Sequence, residues 1–83
     1  MFYTYILYSE KIDRYYVGYS ANPEKRLDER HNKGSVKATR NGFPYTLVVK
    51  KEFETEQQAR SEELRIKKKK SRKYIEWLIA GNW

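Results

Sequence analysis

The chain has 83 residues, and its 18 lysines and arginines against 11 aspartates and glutamates give a formal net charge of +7. With no cysteine, one histidine and only two aspartates, the composition excludes disulfide scaffolds, cysteine-based or multi-histidine zinc sites, and the aspartate clusters of two-metal nucleases. The four glycines form neither common nucleotide-binding loop, and the basic excess predicts a polyanionic partner, either nucleic acid or an anionic membrane surface.

The size and aromatic content predict a single small domain over residues 1–83. Aromatic residues make up 16% of the chain, and such large side chains allow a short chain to bury a core. No apolar run approaches the roughly 18 residues of a membrane span. The start of the chain lacks a basic stretch followed by a long apolar block, so no signal peptide is expected and a cytoplasmic location is the default.

Residues 2–20 predict two strands joined by a short turn. The segment 2–8, FYTYILY, is aromatic and β-branched on both faces, which is typical of a central strand. A polar turn over residues 9–14 precedes a second strand at 15–20, YYVGYS. The short connection favours an antiparallel hairpin.

A helix is predicted to begin at Asn22-Pro23, since asparagine is a good N-cap and proline suits the first helical position. It would run to about His31, with Gly34 just past its end. Leu27 is its only apolar residue, so it would bury little surface. A loop is expected over residues 33–44.

The second half predicts one strand and two helices. A strand at 45–53 would carry Tyr45, Leu47, Val49 and Phe53 on one face. The spacing Thr55-x-x-Gln58 is a capping box for the next helix. Ser71 can cap a final helix at 72–80. The resulting order, β-β-α-β-α-α, predicts an α/β (α+β) fold in which helices flank a small three-stranded sheet.

The alternation of the first two strands groups the tyrosines. Tyr3 and Tyr5 share one face of the first strand, and Tyr16 shares a face of the second with Gly18. Because glycine has no side chain, a phosphate could approach the backbone at Gly18, next to the hydroxyl of Tyr16. The alternative is that these tyrosines only pack in the core and across strands.

The motifs, in their order, resemble the GIY-YIG nuclease superfamily, in particular its small single-domain UvrC-like members. The likeness covers roughly residues 2–79. It is carried by Tyr3-Thr4-Tyr5 with Tyr16-Val17-Gly18, Lys25-Arg26-Leu27, His31-Asn32-x-Gly34, Leu47-Val48-Val49, Ala59-x-x-x-Glu63-x-x-Ile66-Lys67 and Ser71-Arg72-Lys73.

The resemblance implies a metal-dependent endonuclease. In that family role Tyr16 would lie next to the attacking water, and Tyr5 would hydrogen-bond the phosphate or the water. Arg26 would hold the scissile phosphate, and Glu63 would hold one divalent ion, Mg²⁺ or Mn²⁺. The partner would be nucleic acid, with DNA favoured over RNA.

His31 departs from the family spacing, because it follows Arg26 by five residues where small members have four. On a helix, five residues turn about 140° away from the starting face and four about 40°. Either the helix ends irregularly and His31 still turns inward, or Arg30 takes that place.

Each of the other site residues also has a simpler interpretation. Arg26 could be a solvated helix residue, and Glu63 could be an exposed carboxylate paired with Lys67 at i, i+4. Helical periodicity places Glu62 and Glu63 on either side of the apolar stripe and hardly separates them. Only the spacing to Ile66-Lys67 favours Glu63.

A run of basic residues near the end of the chain predicts contacts to a nucleic-acid backbone, which would weaken as salt rises. The run comprises Lys67, Lys68, Lys69, Lys70, Arg72 and Lys73, and the loop residues Lys37 and Arg40 could extend it. The alternative is an ordinary solvated helix face. No pattern here predicts the reading of base edges.

Two functions therefore compete. The first is a metal-dependent endonuclease, with DNA repair or recombination as its context and a targeting protein as a candidate partner for so small a chain. The second is a nucleic-acid-binding module of the same fold with little or no cleavage. A third interpretation, a basic protein of the membrane surface or of the ribosome, is supported by nothing except the charge.

Overall fold

A computed structural model describes residues 1–83 and contains a three-stranded antiparallel sheet. Its strands are β1 (Phe2–Ser9), β2 (Arg14–Ser20) and β3 (Thr46–Phe53), in the order β2-β1-β3. The central position of β1 explains why its sequence is apolar on both faces. The predicted fold class, a small sheet flanked by helices, is confirmed.

Three helices accompany the sheet: α1 (Pro23–Glu29), α2 (Glu56–Lys69) and α3 (Arg72–Trp77). The three predicted caps form, since Asn22, Thr55 and Ser71 each accept a hydrogen bond from a backbone N–H of the first helical turn. None of the helices combines the length and apolar composition needed to cross a bilayer.

Two predicted helix ends differ from the structure. Helix α1 stops at Glu29 rather than near His31, a 3₁₀ turn at His31–Lys33 follows it, and a second 3₁₀ turn, Lys37–Thr39, lies within the segment predicted as a loop. The predicted final helix divides after Trp77, where the chain enters a π-type turn, Leu78–Asn82. Wherever a terminal turn is irregular, apolar spacing alone does not locate the end of a helix.

The prediction that Tyr45, Leu47, Val49 and Phe53 share one face of β3 was wrong. The pairing with β1 shifts between Ile6, which faces Val49, and Leu7, which faces Leu47. Such a bulge places one extra residue on β3 and reverses the side-chain alternation beyond it. Leu47 therefore packs on one face of the sheet and Val49 on the other.

The sheet separates two small cores. Ile6 and Val17 pack with Ile66 of α2 and with Leu78 on one face. Tyr5, Leu7 and Tyr45 pack on the other, with α1 contributing Leu27. The second face, between the sheet and α1, carries four of the five predicted catalytic and metal-binding residues: Tyr5, Tyr16, Arg26 and His31.

Candidate active site

The centre of the candidate site is a buried contact between Tyr5 and His31. The Tyr5 hydroxyl lies 2.9 Å from Nε2 of His31, and both side chains are fully buried. Tyr16, on the neighbouring strand, places its ring centroid 5.0 Å from that of His31. The three rings therefore form one cluster between β1, β2 and the turn after α1.

His31 reaches this cluster because α1 ends irregularly. Arg30 leaves the helical conformation (φ −122°, ψ −61°), and His31 then begins a 3₁₀ turn. This change of direction turns the imidazole inward and leaves Arg30 exposed. Of the two residues that the spacing left open, the structure brings His31 to the tyrosines and not Arg30.

The hydrogen bonds around His31 assign its neutral tautomer. Its Nδ1 lies 3.0 Å from the hydroxyl of Thr39, which itself donates to the carbonyl of Val36. Because that hydroxyl proton is already used, Nδ1 donates to Thr39, and Nε2 accepts from Tyr5. Burial, reinforced by the charge of Arg26, lowers the pKa of His31 to about 4, so the imidazole is neutral at neutral pH.

The hydroxyl of Tyr5 is engaged with the imidazole. The Tyr5 side chain is fully buried and its hydroxyl donates to His31. Burial raises the pKa of Tyr5, and the nearby Arg26 guanidinium acts in the opposite direction. We therefore place Tyr5 as a residue that positions the imidazole.

The gap predicted at Gly18 is filled by the ring of Tyr5. These two residues are directly paired across β1 and β2, and a Cβ added to Gly18 would lie 2.6 Å from Tyr5 Cζ. The glycine is thus required for the close approach of the phenol rather than for the approach of a phosphate.

Tyr16 is the tyrosine of this cluster that remains half-buried. Burial raises the pKa of Tyr16, the charge of Glu63 raises it further, and Arg26 lowers it. The phenol is therefore protonated at neutral pH in the protein alone. An additional cation near its oxygen would be needed to favour the phenolate.

Arg26 contributes a positive charge to the same cluster. Its charge acts on the pKa values of Tyr5, Tyr16 and His31, which places the guanidinium near all three. Its Nε is buried and has no hydrogen-bond partner. An unsatisfied charged donor in a buried position is rare in proteins, and an oxyanion is the kind of group that would satisfy it.

The structure separates Glu62 from Glu63, which the periodicity could not do. Glu62 accepts two hydrogen bonds from Arg65, at 2.7 and 2.6 Å, and one from the indole of Trp83 at 2.8 Å. Glu63 has one partner, Lys67, at 3.5 Å. Its side chain is only 12% exposed, and its charge raises the pKa values of Tyr5 and Tyr16.

Lys67 belongs to the tyrosine cluster as well as to the basic run. Its Nζ pairs with Glu63 and lies 5.3 Å from the ring centroid of Tyr16. Because β2 is an edge strand, side chains of α2 can reach a tyrosine whose ring lies on the opposite face. The i, i+4 spacing of Glu63 and Lys67 was the sequence signal for their ion pair.

The carboxylate content of the site fits one hard divalent ion and no larger metal centre. No group of three or more histidine, aspartate or glutamate side chains converges anywhere in the structure. Mg²⁺ needs only one or two protein carboxylates, since it keeps several waters and takes phosphate oxygens. Glu63, shielded and free of other carboxylates, is the residue that would hold such an ion.

The remaining basic residues fall into two groups. Arg72 pairs with Asp13 at 2.7 Å and with Glu76 at 3.4 Å, Lys69 lies over the ring of Tyr74, and Arg40 donates to a backbone carbonyl. The others are exposed and make no hydrogen bond or ion pair: Lys37, Lys68, Lys70 and Lys73. The second group is free to contact a partner.

A groove of about 690 Å³ lies between β2 and the helices α2 and α3. Tyr16 lines it together with Lys67, Lys70 and Arg72 of the basic run, and Asp13, the ion-pair partner of Arg72, also lines it. A polyanion lying in the groove would pass from the basic run to the exposed side of Tyr16.

Comparison with known proteins identifies the family of the chain. Residues 1–75 match the model of the GIY-YIG catalytic domain family. Searches of curated proteins and of solved structures found no significant match. The matched residues include all three strands, α1, α2 and five residues of the candidate site: Tyr5, Tyr16, Arg26, His31 and Glu63. The chain therefore belongs to the GIY-YIG catalytic domain family.

Proposed function

We propose that this nuclease-type domain is a divalent-metal-dependent endonuclease that hydrolyses phosphodiester bonds in DNA, with repair or recombination intermediates as its substrates. The observation that carries the proposal is the buried, unpartnered Nε of Arg26 beside two tyrosines and a shielded glutamate. A purely structural role for Arg26 does not account for this combination, because such a role would leave its charged Nε–H without a hydrogen-bond partner.

Arg26 would bind the scissile phosphate. Its planar, positively charged guanidinium can donate to two phosphoryl oxygens. Positioned in a partly dehydrated cluster, it would stabilise the negative charge that grows on those oxygens in the transition state.

Tyr16 would orient the attacking water, since it is the tyrosine that retains an exposed side. Its raised pKa means that it acts first as a hydrogen-bonding group, and proton removal requires the phenolate to be favoured by added positive charge. Tyr5 and His31 would hold the adjacent wall in place through their mutual hydrogen bond. Rigid support of this kind keeps reacting groups in line.

Glu63 would hold one Mg²⁺ or Mn²⁺ ion, and in the protein alone this carboxylate forms an ion pair with Lys67 at 3.5 Å. When bound, the ion would supply further positive charge at the phosphoryl oxygens. Arg26 and Glu63 would thus act on the same phosphate from different elements, α1 and α2.

The second candidate is a nucleic-acid-binding module that cleaves slowly or not at all. Two features of the protein alone favour it. Lys67 pairs with Glu63, the residue that would hold the ion, and the raised pKa of Tyr16 keeps its phenol protonated. Binding through the groove and the free lysines would be the same in both cases.

Cleavage assays on branched, nicked and single-stranded DNA and on RNA distinguish the two. We expect cleavage with Mg²⁺ or Mn²⁺ that stops on chelation, and a loss of at least about 100-fold in Arg26→Ala. Arg30→Ala, which removes an exposed arginine four residues away, is the matched control and should cleave normally. Binding without cleavage on every substrate would establish the module instead.

A further inference from the structure

The α2–α3 corner carries an aromatic surface that the candidate site does not use. Tyr74 and Trp77 of α3 stack on each other, with ring centroids 5.8 Å apart and an angle of 26° between the planes. Tyr74 is half-buried against the core below it, whereas Trp77 is 52% exposed. The inner ring thus anchors the outer one, and an indole is presented to solvent in a fixed orientation.

Two cations lie over Tyr74, the inner ring of this aromatic pair. The guanidinium of Arg65 lies 5.6 Å from the ring centroid of Tyr74 and donates to its hydroxyl at 2.6 Å. Nζ of Lys69 lies 5.2 Å from the same centroid. Lys73, one helical turn before Trp77, is exposed and unpaired. Glu62 compensates the charge of Arg65, whereas Lys69 and Lys73 have no carboxylate partner.

The exposed indole and the nearby cations together indicate which kind of partner could cover this surface. A second copy of the chain would bring like charges together, since each copy carries +7. A nucleic-acid duplex would offer phosphates but no exposed base face. A single strand offers both a charged backbone and flat bases, and aromatic platforms flanked by cations are how proteins bind single strands without reading sequence.

We propose that Trp77, supported by Tyr74, over whose ring Arg65 and Lys69 lie, is a stacking platform for unpaired bases of a single-stranded nucleic acid. The platform rests on the nucleic-acid partner of the proposed function, but it shares no residue with the candidate active site. On a substrate that contains both paired and unpaired segments, it would hold the unpaired segment.

Tryptophan fluorescence tests the platform without any cleavage. The chain has two tryptophans, and Trp83 serves as the internal control because its indole donates to Glu62. Titrations would use an oligothymidylate of about twelve nucleotides, a size within the range of single-strand sites, with divalent ions removed by chelator. The same titrations with a duplex of equal length and with an abasic strand of equal charge isolate base stacking from electrostatics.

We expect oligothymidylate to quench the fluorescence of the unmodified protein and of Trp83→Phe, and to bind more tightly than the abasic strand. Trp77→Ala should lose the quenching and about 5- to 150-fold in affinity, the range for loss of one stacked base. Trp77→Phe, which restores an aromatic face, should recover most of that affinity. Circular dichroism confirms that each variant is folded.

The platform would be overturned if the protein bound oligothymidylate and the abasic strand with equal affinity, or if Trp77→Ala bound oligothymidylate as tightly as the unmodified protein. Sedimentation that shows a dimer broken by Trp77→Ala would replace it with self-association. Because these titrations contain no divalent ion, their outcome is independent of cleavage: stacking with no nuclease activity would refute the endonuclease alone, and cleavage without stacking would refute the platform alone.

Discussion

The hydroxyl of Tyr5 donates to Nε2 of His31 across 2.9 Å, and this bond joins the central strand to the turn after α1. Tyr5 comes from the middle of β1 and His31 from a segment that is not part of a regular helix. The bond therefore links the strand to the segment that follows Arg26. We regard it as the structural support of the candidate site.

Removal of the Tyr5 hydroxyl should destabilise the fold. Tyr5→Phe leaves the buried Nε2 of His31 without its donor, and an unsatisfied buried group costs about 1–3 kcal/mol. Tyr8→Phe is the matched control on the same strand, because its hydroxyl bonds an exposed carboxylate, Asp13. That change should stay within about 0.5 kcal/mol. Urea unfolding of the two variants measures the difference, and equal midpoints would contradict the support role.

His31 should make the free energy of unfolding depend on pH between about 6.5 and 4. Burial lowers its pKa in the folded chain to about 4, from 6.5 in the unfolded chain. The folded state therefore favours the neutral imidazole, which is fully stabilising above pH 6.5. The contribution, about 3 kcal/mol at most, is lost as the pH falls through that window.

Because the chain has a single histidine, its imidazole resonances can be followed by NMR without ambiguity. We expect no protonation of His31 near pH 6.5 while the chain remains folded. The His31→Gln variant should show a flatter dependence of the unfolding midpoint over the same window. A folded protein whose imidazole titrates at its ordinary pKa would show that the ring is not buried as described.

Gly18→Ala should disturb the site through Tyr5. The added Cβ would lie 2.6 Å from Tyr5 Cζ and from its hydroxyl oxygen. Relief of such crowding moves the phenol away from His31, at a cost of about 1–3 kcal/mol. We expect lower stability and lower cleavage together.

Gly42→Ala provides the comparison, since its Cβ would crowd a different tyrosine, Tyr45, at 2.5 Å from the hydroxyl. It should lower stability while the folded fraction keeps its activity, as measured well below the unfolding temperature. If Gly18→Ala cleaves as fast as the unmodified protein, Tyr5 has no positioning role.

The features that sequence predicted are those set by local patterns. The apolar strand β1 was placed at the centre, and the caps at Asn22, Thr55 and Ser71 were located from single side chains, because each cap bonds a backbone group only three residues away. The order of strands and helices followed from these elements. The family resemblance added the residues of the site.

The features that sequence missed depend on longer-range packing. The bulge in β3 leaves no mark in its alternation, because Leu47 and Val49 fit either a regular or a shifted strand. The role of Trp83 in holding Glu62 joins the end of the chain to α2, which no local spacing indicates. The inward turn of His31 depends on one backbone change at Arg30, and helical spacing alone left His31 and Arg30 as alternatives.

The free lysines should carry part of the salt dependence of nucleic-acid binding. Lys68→Gln with Lys73→Gln removes two exposed cations that make no ion pair. If both contact phosphates of a duplex, the slope of log affinity against log salt should become shallower by about 2. Filter-binding or fluorescence titrations at several salt concentrations give the slope.

Lys51→Gln is the control for net charge, since Lys51 lies on β3, the edge strand opposite β2. It should leave the slope nearly unchanged. If each of the three lysines contributed equally to the slope, the salt dependence would reflect general attraction to a protein of net charge +7 rather than contacts at the basic run. Arg72 is unsuitable for this test because its loss would also break the ion pair with Asp13.

The central claim is that Glu63, and not its neighbour, serves a metal-dependent phosphodiesterase site, and the cleavage rate of the pair Glu63→Gln and Glu62→Gln tests it most directly. With Mg²⁺ or Mn²⁺ and the preferred DNA, Glu63→Gln should cleave at least about 100-fold more slowly, the effect of losing several kcal/mol of charge stabilisation. Glu62→Gln, which loses its bonds to Arg65 and Trp83, should be less stable but should cleave at the normal rate when folded. Equal cleavage by both variants, or cleavage by the unmodified protein that persists in chelator, would contradict the account.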